Sequence, residues 1–235
     1  MGFKILVINT GNTSTKVGVF DSYTPVFEES IPHTDEQLAP FADVNAQKDF
    51  REDTLMEFLK NKGVDLNTLD AVAARGGLLR PVPSGTFLVN DEMIADLVEG
   101  KRGMHASHLS AQIGYDIAGK FGIPCYIVDP ISVDEFEPIA RYTGHKEFER
   151  VMLCHALNMK AVAKRYAKES NQDYYKLNLI VVHLGTGISV SVHKDGKMVD
   201  SINSSEEGCF SPDRAGGLPV LQAAQYMQEN NLDFK

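Results

Sequence analysis

Apolar and polar residues alternate at both ends of this chain and predict strands there, whereas much of the middle follows a helical period. Ile5, Leu6, Val7 and Ile8 lead into Asn9, Thr10 and Gly11. A hydroxyl-rich turn then returns an alternating stretch that ends the hairpin at Asp21, and residues 25–31 predict a third strand. The arrangement recurs downstream. Leu179, Ile180, Val181 and Val182 lead into His183, Leu184 and Gly185, an alternating strand resumes after Gly187, and a turn at Asp195 and Gly196 enters a third strand over residues 198–202. Asn9 thus stands where His183 does, and Gly11 where Gly185 does, which is the mark of a duplication.

Between the repeats, residues 35–62 read as helical, with Phe50, Leu55, Phe58 and Leu59 on one face and Gly63 as the stop. Residues 69–74 form a short buried strand that runs into a Gly/Pro loop over 75–85, the kind of strand C-terminal end where ligands bind in open α/β sheets. Helices follow over 91–99 and 107–122, and then a strand over 124–129 that ends on Asp129. The longest helical pattern, residues 147–170, carries Val151, Cys154, Leu157, Ala161 and Val162 and joins the halves; a final helix spans about 219–229. The class is α/β in two domains, residues 1–150 and 151–235. The second half stops after three strands and one helix, so the pattern predicts an incomplete duplicate with an open sheet edge.

With 43% hydrophobic residues in 235, the chain can bury proper cores, and a net charge of −9 without a Lys/Arg cluster argues against a general nucleic-acid surface. Cys125, Cys154 and Cys209 have neither paired nor metal-binding spacing. The apolar run after Lys4 ends at Ile8, too short for a secretion signal or a membrane span, and a cytoplasmic location is expected.

A glycine at a hairpin tip lets backbone N–H groups point at an anion, and Thr13, Ser14, Thr15 and Thr186 can add hydroxyl donors. Two such hairpins facing each other would hold a nucleotide from both sides. Neither is a P-loop, since a strand follows each turn and no Gly-Lys-Ser/Thr string is present. An ordinary hairpin with polar turn chemistry explains either copy alone; the recurrence points to phosphate. Arg75 and Arg214, each at the mouth of a glycine loop, suit bidentate contact with a carboxylate or phosphoryl group, with surface ion pairs as the alternative.

These residues sit in longer strings: Asn9-Thr-Gly-Asn-Thr-Ser-Thr-Lys16, Arg75-Gly-Gly-Leu-Leu, His105-Ala-Ser, Ile127-Val-Asp-Pro130 with Val133-Asp-Glu135, His155-Ala-Leu-Asn158 with Lys160-Ala-Val-Ala, His183-Leu-Gly, and Phe210-Ser-Pro-Asp-Arg-Ala-Gly-Gly-Leu-Pro219. Together they resemble the butyrate kinases, within the acetate kinase family of the superfamily that includes sugar kinases, actin and the heat-shock chaperone ATPases. The resemblance covers essentially the whole chain but only the N-terminal two-thirds of the family's length.

It implies a duplicated ribonuclease H-like (actin-like ATPase) fold with a truncated second half. The first domain would be the carboxylate side and the second the nucleotide side. The implied reaction is reversible transfer of the γ-phosphoryl group of ATP to butyrate or a related branched or short acid, with Mg²⁺ as cofactor and a homodimer as the assembly. By the same resemblance, Arg75 binds the substrate carboxylate, Arg214 stabilises the transition state, and His155 and His183 donate to the phosphoryl oxygens. Asn9 and Asp129 anchor Mg²⁺. Gly11, Asn12, Thr13, Ser14, Thr15 and Lys16, with His183, Gly185, Thr186 and Gly187, contact the nucleotide. His105 is the substrate-side histidine, with His108 as its rival, and His155 as a packed core residue on the helix side of Val151 and Val162 is a further alternative. Asp134 and Glu135 read as a helix start, and residues 204–207 as a solvated acidic loop.

The pattern departs from the family at Thr10, Asn12, His108, Thr186 and the segment 203–208, which leaves the orientation of Arg214 open. The part of the family's length without a counterpart supplies the adenosine pocket and a late Mg²⁺-holding glutamate, so weak ATP binding is expected. An acetate- or propionate-type kinase and a non-catalytic remnant remain as alternatives. A sugar kinase or chaperone-type ATPase is disfavoured because the Arg75 and Arg214 loops suit a small anion.

Overall fold

The computed structural model describes residues 2–203 and 207–233 and divides into two compact units, Met1–Val133 and Asp134–Lys235. Residues 204–206 of the expected acidic loop lie outside the described residues.

In the first unit, β1 (Lys4–Thr10), β2 (Ser14–Asp21) and β3 (Thr24–Pro32) form the expected antiparallel meander. A single turn, α1 (Asp35–Leu38), and helix α2 (Lys48–Asn61) follow. The expected continuous helix over 35–62 is therefore broken, because Pro40 lacks an N–H and disfavours helical geometry in the residue before it. Next come β4 (Ala71–Ala74), β5 (Thr86–Leu88), α3 (Asp91–Glu99), α4 (His108–Phe121) and β6 (Cys125–Val128). β5 is too short to leave a sequence pattern. The sheet runs β3-β2-β1-β4-β6-β5, with β4 and β6 parallel to β1. Alternation along β1 turns Leu6 and Ile8 into a core shared with Leu55 and Leu59 of α2 and Leu109, Ile113 and Ile117 of α4. Asn90 caps the start of α3, and Gly100 and Gly122, both left-handed, end α3 and α4 where expected.

In the second unit, α5 (Ala156–Glu169) precedes an antiparallel sheet of β7 (Leu179–Leu184), β8 (Ile188–Lys194) and β9 (Lys197–Asn203), and α6 (Val220–Glu229) follows. Residues 147–155 are not helical, contrary to the expected long helix. The face of α5 that packs carries Met159, Ala163 and Ala167, while Leu157 and Val162 are about half exposed. Small alanines let the helix lie close to Leu179 and Val181 of β7. Glu207, expected in solvent, instead accepts from Arg150 at 2.9 Å.

The duplication extends to a defect. The β2–β3 ladder slips between Val19 and Phe20, and the β8–β9 ladder slips between Val192 and His193; counted along the strands from the paired Asn9–Lys16 and His183–Ser189, with the second turn one residue shorter, these are equivalent positions. A shared bulge is a stronger sign of common origin than two similar turns, since bulges persist within families.

Candidate active-site groups

Because β1, β4 and β6 are parallel and paired Ile8 to Ala74 to Ile127, the residues just beyond them emerge at one end of the sheet. They are Asn9, Arg75 and Asp129. The Arg75 amide donates to Ile8 O at 2.9 Å, and Arg75 Nη1 donates to Asn9 Oδ1 at 3.3 Å. Arg75 is half-buried, and burial lowers its pKa without removing its charge. Asp129 is buried and left-handed at φ 39°, a strained conformation for a non-glycine residue. Its Oδ1 accepts from Ser84 Oγ at 2.6 Å and from Gly85 N at 2.8 Å, bonds that hold the strained turn and tie it to the loop after Arg75. Gly76 permits the approach: a Cβ there would lie 2.6 Å from Pro130 Cβ.

His108 is fully buried, with Nδ1 3.1 Å from Leu97 O and Nε2 accepting from Leu78 N at 3.1 Å. Both ring nitrogens are occupied by backbone, and desolvation lowers its pKa, so this is a neutral structural histidine. His105 is half-buried, and its Nδ1 accepts from Ser107 N at 3.1 Å.

At the first turn Asn12, Thr13 and Lys16 are exposed, and Lys16 lies opposite Asn9 in the ladder. Thr15 is buried, with its hydroxyl 2.9 Å from His33 Nε2. The carbonyls of this turn are held from beneath by Arg51, a residue that sequence reasoning passed over. The available signal was its spacing: Arg51, Leu55 and Leu59 share one helix face, so an arginine stands in an apolar stripe.

In the second unit His155, His183, Gly185, Gly187 and Arg214 come together. The imidazoles of His155 and His183 stack at 3.8 Å with 6° between planes. His155 is the N-cap residue of α5 rather than part of a longer helix, and its Nδ1 lies 3.0 Å from Ser189 Oγ. His183 is the penultimate residue of β7, and Asn158 Nδ2 donates to its Nδ1 at 2.9 Å. That bond leaves the proton on Nε2, and desolvation lowers the pKa, so His183 is a neutral N–H donor. Asn158 had no role in the sequence reading. A Cβ on Gly185 would sit 3.2 Å from His183 Nε2, and one on Gly187 would sit 3.7 Å from both His155 Nε2 and Arg214 Nη1. Asp213 N donates to Thr186 O at 3.3 Å, joining the Arg214 loop to the glycine turn.

Among the described residues no cluster of three or more His, Cys, Asp or Glu gathers as a metal cage. Mg²⁺ needs none, since one or two carboxylates with phosphate and water complete its octahedron. Asp129 fits that donor set, with Oδ2 outside its two loop bonds, whereas Asn9 Oδ1 already receives Arg75. Cys125 and Cys154 are buried thiols that desolvation pushes up to about 12 and about 11, which makes them poor nucleophiles. Among the described residues, no helix is long and apolar enough to cross a membrane.

No protein-family model matches the chain. It is 49% identical over 220 residues to butyrate kinase 2 of Clostridium acetobutylicum, a match covering 93% of this chain and 62% of that protein. An acetate kinase from Porphyromonas gingivalis shares the fold at a TM-score of 0.74 and 18% identity, covering 98% of this chain and 65% of that one. A propionate kinase from Francisella tularensis does so at 0.66 and 18%, over 97% and 65%. An acetate kinase from Entamoeba histolytica matches at 0.70 and 16%, over 96% and 62%. The chain is thus similar in sequence to butyrate kinase 2 and shares the α/β fold of the acetate kinases, and it spans 62% of that relative's length.

Proposed function

We propose that this chain carries the carboxylate- and phosphoryl-handling groups of a butyrate kinase: a short-chain carboxylate kinase that transfers the γ-phosphoryl group of ATP to butyrate or a related branched or short acid, reversibly, giving acyl phosphate and ADP. The observation that supports it most is the joint cluster of His155, His183, Gly187 and Arg214, three phosphate-suited donors around a glycine turn, in a chain 49% identical to a butyrate kinase. In this reading residues 1–150 form the carboxylate-side domain and 151–235 part of the nucleotide-side domain. The location is cytoplasmic and the assembly a homodimer.

A carboxylate oxygen attacks the γ-phosphorus, the new O–P bond forms as the bond to the β-phosphate oxygen breaks, and ADP leaves with that electron pair. Little covalent help is needed; positioning and charge neutralisation suffice. Arg75 holds the carboxylate with His105 beside it. His155, His183 and Arg214 donate to the equatorial phosphoryl oxygens. Gly11, Asn12, Thr13, Ser14 and Lys16 of the first turn and Gly185, Thr186 and Gly187 of the second receive the phosphate chain, with Thr15 supporting the first turn from its buried position. Mg²⁺, when bound, would be held by Asp129, with Asn9 as a second ligand once Arg75 turns from its Oδ1 to the substrate carboxylate, and would supply charge neutralisation for the phosphates.

Incubating the chain with ATP, Mg²⁺ and acetate, propionate, butyrate, isobutyrate or valerate, and trapping product with hydroxylamine, should give most hydroxamate from butyrate or a branched relative. Arg214→Ala should lower that rate by about 10²-fold, the usual loss of one transition-state donor, with the fold intact. Acetate as the sole good substrate, or no acyl phosphate from any acid at ATP concentrations that saturate the chain, would overturn the proposal.

A further inference from the structure

We propose that Arg51, on helix α2, is a positioning residue whose guanidinium holds the first glycine turn so that three consecutive backbone amides face the phosphate chain. This rests on the reading of that turn as a phosphate site. Arg51 is fully buried. Nη1 donates to Gly11 O at 2.9 Å and to Ser14 O at 3.4 Å, and Nη2 donates to Asn12 O at 2.8 Å. Gln47 Oε1 orients the fork, accepting from Nε at 3.0 Å and Nη2 at 2.9 Å. The remaining turn carbonyl, Thr13 O, accepts from His33 N at 2.9 Å.

The carbonyls of residues 11, 12 and 13 are therefore all engaged. Each shares a planar peptide with the N–H of residue 12, 13 or 14, and in a trans peptide the two groups point in opposite directions. The described structure contains no cis peptide bond. Anchoring the carbonyls thus turns the amides of Asn12, Thr13 and Ser14 the other way, and among the described residues none of those three amides makes a hydrogen bond. Such a run of oriented N–H groups is an anion-binding nest. The usual hairpin bond from the amide of Ser14 to Gly11 O is replaced by the arginine, which also leaves a positive charge beneath the nest. Among the described residues Arg51 has no carboxylate partner within ion-pair distance. Burial lowers its pKa, and His33, held near 4 by burial and by Arg51 itself, adds no second charge at neutral pH.

The test uses isotopically labelled protein. In the wild type without ligand, Asn12, Thr13 and Ser14 should show rigid-backbone order parameters of about 0.85, although their amides lack partners. Arg51→Lys keeps the charge but cannot fork across two carbonyls; it should drop those order parameters below about 0.6 while Gly185–Gly187 stay unchanged. It should also weaken MgATP binding roughly tenfold, as expected for loss of a charge-assisted hydrogen-bond set. Gln47→Met, which releases the fork while leaving Arg51 buried, should move the same three amides in the same direction and serves if Arg51→Lys does not fold. Unchanged order parameters in the folded variants would overturn the positioning role. If the wild-type turn is rigid and loosens in both variants but MgATP shifts none of its amides, the positioning role stands and the phosphate reading of this turn falls.

Discussion

Replacing Lys160 with Met should destabilise the protein by roughly 3–5 kcal/mol, because it leaves a buried carboxylate without its cation. Lys160 Nζ lies 2.7 Å from Glu135 Oε2, with side chains only 2% and 10% exposed. The lysine also donates to Gly196 O at 3.3 Å, and Glu135 accepts from Met198 N at 2.9 Å, so the pair pins the β8–β9 turn region and the segment before α5. Glu135→Gln should also destabilise, since it strands the ammonium. The double variant Lys160→Met with Glu135→Gln should be distinctly less damaged than the sum of the two, because neither buried charge remains while Gln can still accept from Met198. Urea denaturation of the four proteins measures this coupling; additive losses would show that the pair does not act as a unit.

Acid should remove stability well above the carboxylate range. His33 and His193 are 4% and 0% exposed, and both have pKa values lowered from 6.5 to about 4. For His33 burial comes first and the nearby Arg51 second; for His193 burial again leads, with Lys160 adding to it and Glu135 opposing. His193 is neutral between Tyr174 Oη and Ser191 Oγ, each 2.8 Å from a ring nitrogen. The unfolded chain takes up these protons below pH 6.5 and the folded chain only near 4, so the contribution is full above pH 6.5 and is lost as pH falls toward 4. A shift of this size corresponds to about 3 kcal/mol for each histidine. Denaturation midpoints between pH 7.5 and 4.5 should fall with a slope to which these two histidines contribute up to about two protons, and His193→Gln should reduce that slope by about one. A flat profile down to pH 4.5 would contradict the buried neutral assignment.

Much of the fold was legible because its signals are local. The β1–β2 and β7–β8 hairpins show four apolar residues running into a polar one and a glycine, and the αL glycines at 100 and 122 mark helix ends by backbone geometry alone. The helix over 147–170 was over-read because Val151, Leu157 and Val162 mimic a buried stripe, whereas the helix packs through Met159, Ala163 and Ala167. Close approach favours small side chains, and a hydrophobic period weights large ones. His155, Arg75 and Arg214 were found through motif strings; their chemistry alone left ion pairs or core packing open. Arg51 and Asn158 escaped because each acts on another group, the turn carbonyls in one case and the His183 ring in the other, and such contacts between distant positions have no sequence period.

The most direct test of the account is titration of isotopically labelled protein with MgATP, following backbone amides. The account predicts that Asn12–Ser14 and Gly185–Gly187 shift together along one saturation curve, and that Arg214→Ala weakens that curve. Shifts confined to a single turn, or no shift in either while the protein remains folded, would contradict it.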